Sequence, residues 1–177
     1  PGDYDTRFVG TNARMEEFNA ILGLEGLKRI DRFVAARNRL ARRYTSALRK
    51  CPGVSVPLVE PDCLCTYKDY TIIVDPKIAP LNRDQLAARL QAQGIDVRRY
   101  FYPPLHRQKA FVDLGYGEAK HLRNTDYISR NCLSLPMFSH MTNDQQRQVI
   151  DGVLSAFDGS TRERRSSTGR AKRSRPY

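Results

Sequence analysis

Apolar positions along the first fifty residues recur at helical spacing. Met15, Phe18, Ile21 and Leu22 make one stripe, and Leu27, Ile30, Val34, Leu40, Tyr44 and Leu48 continue it at steps of mostly three, four or seven. This predicts a long helix bent near Gly23 to Gly26, since each glycine costs a helix about 1 kcal/mol. The arginines Arg29, Arg32, Arg37, Arg39, Arg42, Arg43 and Arg49 fall largely off the stripe, as a solvated face does. Cys51-Pro52-Gly53 stops the helix. Val54 to Leu58 then reads as a short strand, Glu60 to Cys65 as a loop, and Tyr67 to Val74, rich in aromatic and β-branched residues, as a central strand.

Further on, Asn82-Arg83-Asp84 caps a helix with Leu86, Ala87 and Leu90 inward and Gly94 as its stop. Ile95 to Phe101 is predicted as a second core strand, Lys120 to Arg130 as a helix and Cys132 to Leu135 as a third strand. Thr142-Asn143-Asp144 caps a last helix to about Phe157, with Val149, Ile150, Val153 and Leu154 facing inward. This order predicts an α+β fold: a long N-terminal helix and a small, largely antiparallel sheet covered by helices. The expected organisation is one domain over 1–158 and a disordered basic tail over 159–177.

Composition changes this picture little. The net charge of +11 suggests nucleic acid, but the tail carries seven basic residues against Glu163, so more than half of the excess sits there. Such a tail cannot bury enough apolar surface to offset the entropy of ordering it. It is either a loose electrostatic contact for nucleic acid or an anionic membrane, or an extension without a role. The body lacks an aromatic-and-basic surface motif, so a nucleic-acid partner is not expected.

Cys51, Cys63, Cys65 and Cys132 are spaced irregularly, and with His106, His121 and His140 they complete no metal motif. They read as free thiols of a reducing cytoplasm. No apolar run approaches the length of a membrane span, so no membrane partner is expected. The start at Pro1, without methionine, suggests that sequence is missing upstream.

Two segments carry candidate chemistry. In Gly10-Thr11-Asn12 a short loop leads into helical spacing, so the Asn12 amide is expected where a helix begins, a place that suits phosphate oxygens or a simple cap. In Tyr100-Phe101-Tyr102-Pro103-Pro104-Leu105-His106 two prolines stiffen a loop that holds aromatic rings and an imidazole at a strand end. There Tyr102 and His106 either meet a substrate or form a proline corner with His106 bonded to backbone.

The assembly of these pieces resembles the DegT/DnrJ/StrS-type sugar aminotransferase family. It runs through Gly10, Asn12, Arg14, Met15, Glu17, Gly23-Leu24, Leu27, Ile30-Asp31, Arg37, Arg39, Ala41, Tyr44 and Leu48. Gly94-Ile95 with Arg98, the Tyr100–His106 segment and Leu133-Ser134-Leu135-Pro136 follow in order, so the resemblance spans about Thr6 to Phe157. It implies the C-terminal small domain of a fold-type I transferase dependent on pyridoxal 5'-phosphate (PLP). The implied reaction moves an amino group from an amino-acid donor to a keto group of a nucleotide-linked sugar, in a cytoplasmic homodimer. By the same resemblance Asn12 binds the cofactor phosphate of the neighbouring subunit, Arg14 anchors its loop, and Tyr102 and His106 border the substrate.

The family's Schiff-base lysine precedes the Gly-x-Asn loop by a few tens of residues, and none of Lys28, Lys50, Lys68, Lys77, Lys109, Lys120 and Lys172 resembles it. The chain is therefore expected to be an inactive fragment, with exposed apolar surface where a larger domain would sit. A sugar dehydratase of the same family, with histidine in place of the lysine, and a non-catalytic basic binding module are the alternatives.

Overall fold

Helix, sheet and turn follow the hydrophobic pattern closely in the computed structural model, which describes residues 13–116 and 122–171, with side chains through 158. The chain divides into two units, Pro1–Phe33 and Val34–Tyr177.

In the first unit α1 (Glu17–Leu27) buries no residue. It begins with Glu16 as an unbonded cap, not directly after Asn12, and Glu17 supplies the acidic first turn that a helix N-terminus favours. Both Gly23 and Gly26 lie inside the helix. The break comes later, at Lys28 and Arg29, where the Arg29 amide bonds the Gly26 carbonyl and tightens the last turn. A glycine's cost is tolerated within a helix that closes its hydrogen bonds around it, and the interruption falls where those bonds change register.

Helix α2 (Ile30–Leu48) continues into the second unit, where Val34, Leu40, Ala41, Tyr44 and Leu48 are buried. Burying each large aliphatic side chain of this stripe contributes about 1.5–3 kcal/mol relative to leaving it exposed. The sheet is antiparallel with strand order β1 (Val54–Ser55), β2 (Tyr70–Val74), β3 (Cys132–Leu135). Tyr70, Ile72 and Val74 alternate inward along the central strand, and the Tyr70 ring packs tilted against Tyr44 with centres 5.0 Å apart. On the opposite face Thr71 and Ser134, paired in register, share a 2.7 Å hydroxyl hydrogen bond.

Strand β1 is shorter than the expected Val54 to Leu58: it ends at Ser55, two residues ahead of Pro57, which has no N–H to give a ladder. Strand β2 likewise starts only at Tyr70, because Tyr67 takes a positive φ of 45°. At Gly53, with φ +74°, a Cβ would sit 2.5 Å from the Ala79 nitrogen, so only glycine fits that turn.

Helix α3 (Arg83–Ala92) carries the expected cap as a full capping box between Asn82 and Gln85, and Gly94 closes it at positive φ. The expected core strand over Ile95 to Phe101 does not form. Only Arg98 pairs with Ser134 of β3, through reciprocal backbone bonds of 3.1 and 2.8 Å, before a turn bonds the Tyr102 amide to Arg99. Ile95 and Val97 still enter the core, so the apolar alternation was real while the ladder was cut short.

After a 3₁₀ turn (Leu105–Arg107) come α4 (Lys109–Asp113) and α5 (Arg123–Asn131), the latter packed on β2. Helix α6 (Asn143–Ala171) packs on α3 and buries Val149 and Val153. Its backbone stays helical past Phe157, through residues expected to be a tail without fixed structure; once a helix is nucleated, each added residue brings its own hydrogen bond. All four cysteines are free, with Cys51 and Cys132 buried. No helix among the described residues is long and apolar enough to cross a membrane.

Candidate functional site

Helix α5 and the start of β3 hold the Tyr100–His106 loop by its backbone. Ser129 Oγ donates to the Phe101 carbonyl at 2.6 Å, and the Cys132 thiol donates to the Tyr100 carbonyl at 3.4 Å. Burial pushes that thiol's pKa up, which keeps it protonated as a donor, while Arg83 pulls the other way. The Gln108 side-chain amide caps the Pro103 carbonyl at 3.3 Å. The Tyr100–Phe101 and Tyr102–Pro103 peptide bonds are both cis.

Since the backbone is bonded inward, the rings face outward: Phe101 is 68% and Tyr102 52% exposed. Beneath Tyr102 lies the buried Arg83, its guanidinium carbon 5.1 Å from the ring centre. Arg83 donates to the Cys132 carbonyl at 3.3 Å and stands 2.8 Å from Asp84 at Nε, out of line for a hydrogen bond. A cation under the ring face adds about 0.5–2 kcal/mol of attraction and fixes the ring plane. Tyr100 also lines an open cleft of about 430 Å³ with Arg98, Pro136, Phe138 and Met141. Neither Tyr102 nor His106 lines that cleft.

His106 is only 7% exposed. Its partner is a carboxylate, where a proline corner would have offered backbone: Nε2 stands 3.2 Å from Asp126 Oδ1. The same carboxylate accepts a forked pair from Arg107, Nε to Oδ1 at 2.7 Å and a terminal nitrogen to Oδ2 at 2.6 Å. The Arg107 hydrogen bonds hold the Asp126 carboxyl down to about 2, against partial burial pushing it up, with His106 adding in Arg107's direction. The structure therefore brings Tyr102 and His106 onto one loop but in different settings, a ring half exposed and an imidazole held by Asp126 and nearly buried. Asn12 and Gly10 lie outside the described residues.

Asp126, Ser129 and Arg83 are the members that sequence reasoning missed. Asp126 and Ser129 share one face of α5, three residues apart. That spacing on a polar helix was the one available signal, and nothing in it names a loop twenty residues upstream.

The described residues do not make a PLP site by themselves. Every described lysine is exposed, and Lys109 is paired with Asp113 at 2.7 Å. Among the described residues no three His, Cys, Asp or Glu side chains cluster as metal ligands do.

Comparison with known proteins gives the context. The model of the DegT/DnrJ/EryC1/StrS aminotransferase family matches residues 2–154. A dTDP-4-amino-4,6-dideoxy-D-glucose transaminase of Shigella dysenteriae is 29% identical over 82% of this chain and 39% of its own length. The crystal structure of a DegT DnrJ EryC1 StrS aminotransferase from Brucella abortus superimposes with a TM-score of 0.71 at 30% identity, covering 88% of this chain and 39% of that one. An E. coli GDP-4-keto-6-deoxy-D-mannose-3-dehydratase, solved with bound hydrated PLP, has a TM-score of 0.71 at 19% identity over 85% of this chain and 38% of its own, which is a likeness of fold. The chain thus spans about two fifths of the length of the relatives it matches.

Proposed function

The chain belongs to the DegT/DnrJ/EryC1/StrS aminotransferase family, and from that premise we propose that it is the C-terminal part of a PLP-dependent sugar aminotransferase. In the complete enzyme an amino group passes from an amino acid to a keto group of a nucleotide-linked sugar. PLP supplies the electron sink for that chemistry, and none of its steps is assigned to the described residues. What this chain adds is a wall of the substrate site.

The observation that carries this reading is the loop itself, whose backbone is bonded down to α5 and β3 while Phe101 and Tyr102 stand exposed. Exposed aromatic rings on a fixed backbone bind a ligand without an ordering cost at the moment of contact. Tyr102 is proposed to border the sugar and His106 to hydrogen-bond it. Asn12 is proposed to hold the cofactor phosphate of the neighbouring subunit in a cytoplasmic homodimer, with 1–158 acting as one domain and 159–177 as a basic tail.

In the complete enzyme, Tyr102→Ala and His106→Ala should raise the KM for the nucleotide sugar or lower kcat, and Asn12→Ala should weaken PLP retention on dialysis. Unchanged kinetics in both loop variants would remove the wall from the site, and full retention of PLP would remove Asn12.

A further inference from the structure

His106 is buried, yet the residue holding it is ionised and already shared. An ionised carboxylate has lone pairs and no proton to give, so the 3.2 Å contact at Asp126 Oδ1 requires the N–H of the imidazole to be on Nε2. We infer that Asp126 is the positioning residue of this site: whenever the His106 imidazole is uncharged, Asp126 fixes its proton on Nε2 and leaves Nδ1 as a hydrogen-bond acceptor for a hydroxyl or N–H of the ligand. This rests on the loop being a substrate wall, and deepens that reading by naming the part of the substrate that meets it.

Three observations converge on a neutral, donor-bearing ligand part. First, Arg107 spends both arms of its fork on Asp126, so its charge is compensated where it stands and the His–Asp–Arg cluster with neutral imidazole sums to zero. Second, Nδ1 has no hydrogen-bond partner among the described residues and is not among the unpartnered polar atoms sealed from solvent. Third, the neighbouring groups on the loop are apolar faces, Phe101, Tyr102 and Leu105, all exposed. A phosphate oxygen would meet the Nδ1 lone pair with its own. A hydroxylated ring, with C–H faces for the aromatics and an O–H for Nδ1, matches both features, so the sugar ring and not the diphosphate belongs here.

Second-partner hydrogen bonds that set a histidine's tautomer leave a direct signature. The test is long-range ¹⁵N–¹H correlation on the full 177-residue chain without cofactor or substrate, in alkaline buffer, with His106 assigned from the signal lost in His106→Gln. The expected pattern is a lone-pair shift for Nδ1 and an N–H shift for Nε2. The reverse pattern overturns the inference whatever the loop binds. Asp126→Ala should give a mixture of both forms, Asp126→Glu should restore the single form, and Arg107→Ala should leave it in place; a single Nε2–H form in Asp126→Ala overturns the positioning role.

In the complete enzyme, Asp126→Ala should raise the KM for the nucleotide sugar by the same factor as His106→Ala, with Asp126→Glu recovering most of it. If the tautomer responds as expected while KM stays at the native value, the ligand half of the inference falls together with the substrate-wall reading, and the positioning half stands.

Discussion

Ser129 Oγ reaches 28 residues back along the chain to donate a 2.6 Å hydrogen bond to the Phe101 carbonyl. With the Cys132 thiol on the adjacent Tyr100 carbonyl, it ties the aromatic loop to the junction of α5 and β3. Ser129→Ala leaves that carbonyl without its partner and should cost about 1–2 kcal/mol. Urea unfolding gives the loss, and amide exchange should quicken at Tyr100 to Tyr102. Native exchange rates in the variant would mean that the Cys132 and Gln108 contacts and the prolines hold the loop without Ser129.

Acid should release the other end of the same loop. Asp126 titrates at about 2 in the folded chain, below the ordinary carboxylate value of about 3.9. Because the folded value is the lower one, its contribution is complete above about pH 4 and disappears as pH falls through about 2. The resonances of His106 and Tyr102 should therefore move together between pH 4 and 2. In Asp126→Asn that shared step should be missing; its persistence would assign it to another carboxyl.

At the alkaline end Tyr44 governs. It is fully buried, its hydroxyl donates to the Pro136 carbonyl at 2.8 Å, and burial, with Tyr70 adding, raises its pKa well above the usual tyrosine value. The unfolded chain therefore loses this proton first, and stability must fall as pH rises beyond about 10. Tyr44→Phe leaves the carbonyl unpaired, should cost about 1–2 kcal/mol near neutrality, and should flatten the alkaline decline without abolishing it, since Tyr70 is raised as well. A decline of unchanged slope in Tyr44→Phe would put the effect elsewhere.

Local signals were legible wherever a few neighbouring residues decide the outcome. The Asn82 cap, the stop at Gly94 and the inward Leu86, Ala87 and Leu90 needed only their own segment. Ile95 to Phe101 failed as a strand because pairing is a property of two segments, and β3 offers it only Ser134. The helix break moved from the glycines to Lys28 and Arg29 for a related reason: propensity states a cost, whereas hydrogen bonding decides where it is incurred. The loop's aromatics were visible in sequence, but its Asp126 and Ser129 supports become neighbours only when α5 folds back beside it. A carboxylate on a polar helix otherwise reads as solvated.

Helix α1 leaves the largest open requirement. Met15, Phe18, Ile21, Leu22, Leu24 and Leu27 are all exposed, Phe18 by 69%, and no residue of the helix is buried. An isolated helix of 11 residues is marginal in water whatever its composition, and a contiguous apolar surface of this kind marks an interface. The 177-residue chain alone should therefore self-associate, with a weight-average mass in sedimentation that rises with concentration. Phe18→Asp with Leu22→Lys should return it toward monomer without lowering the cooperativity of unfolding, because both side chains are exposed. A native chain that stays a monodisperse monomer over the concentration range would show that α1 requires no cover.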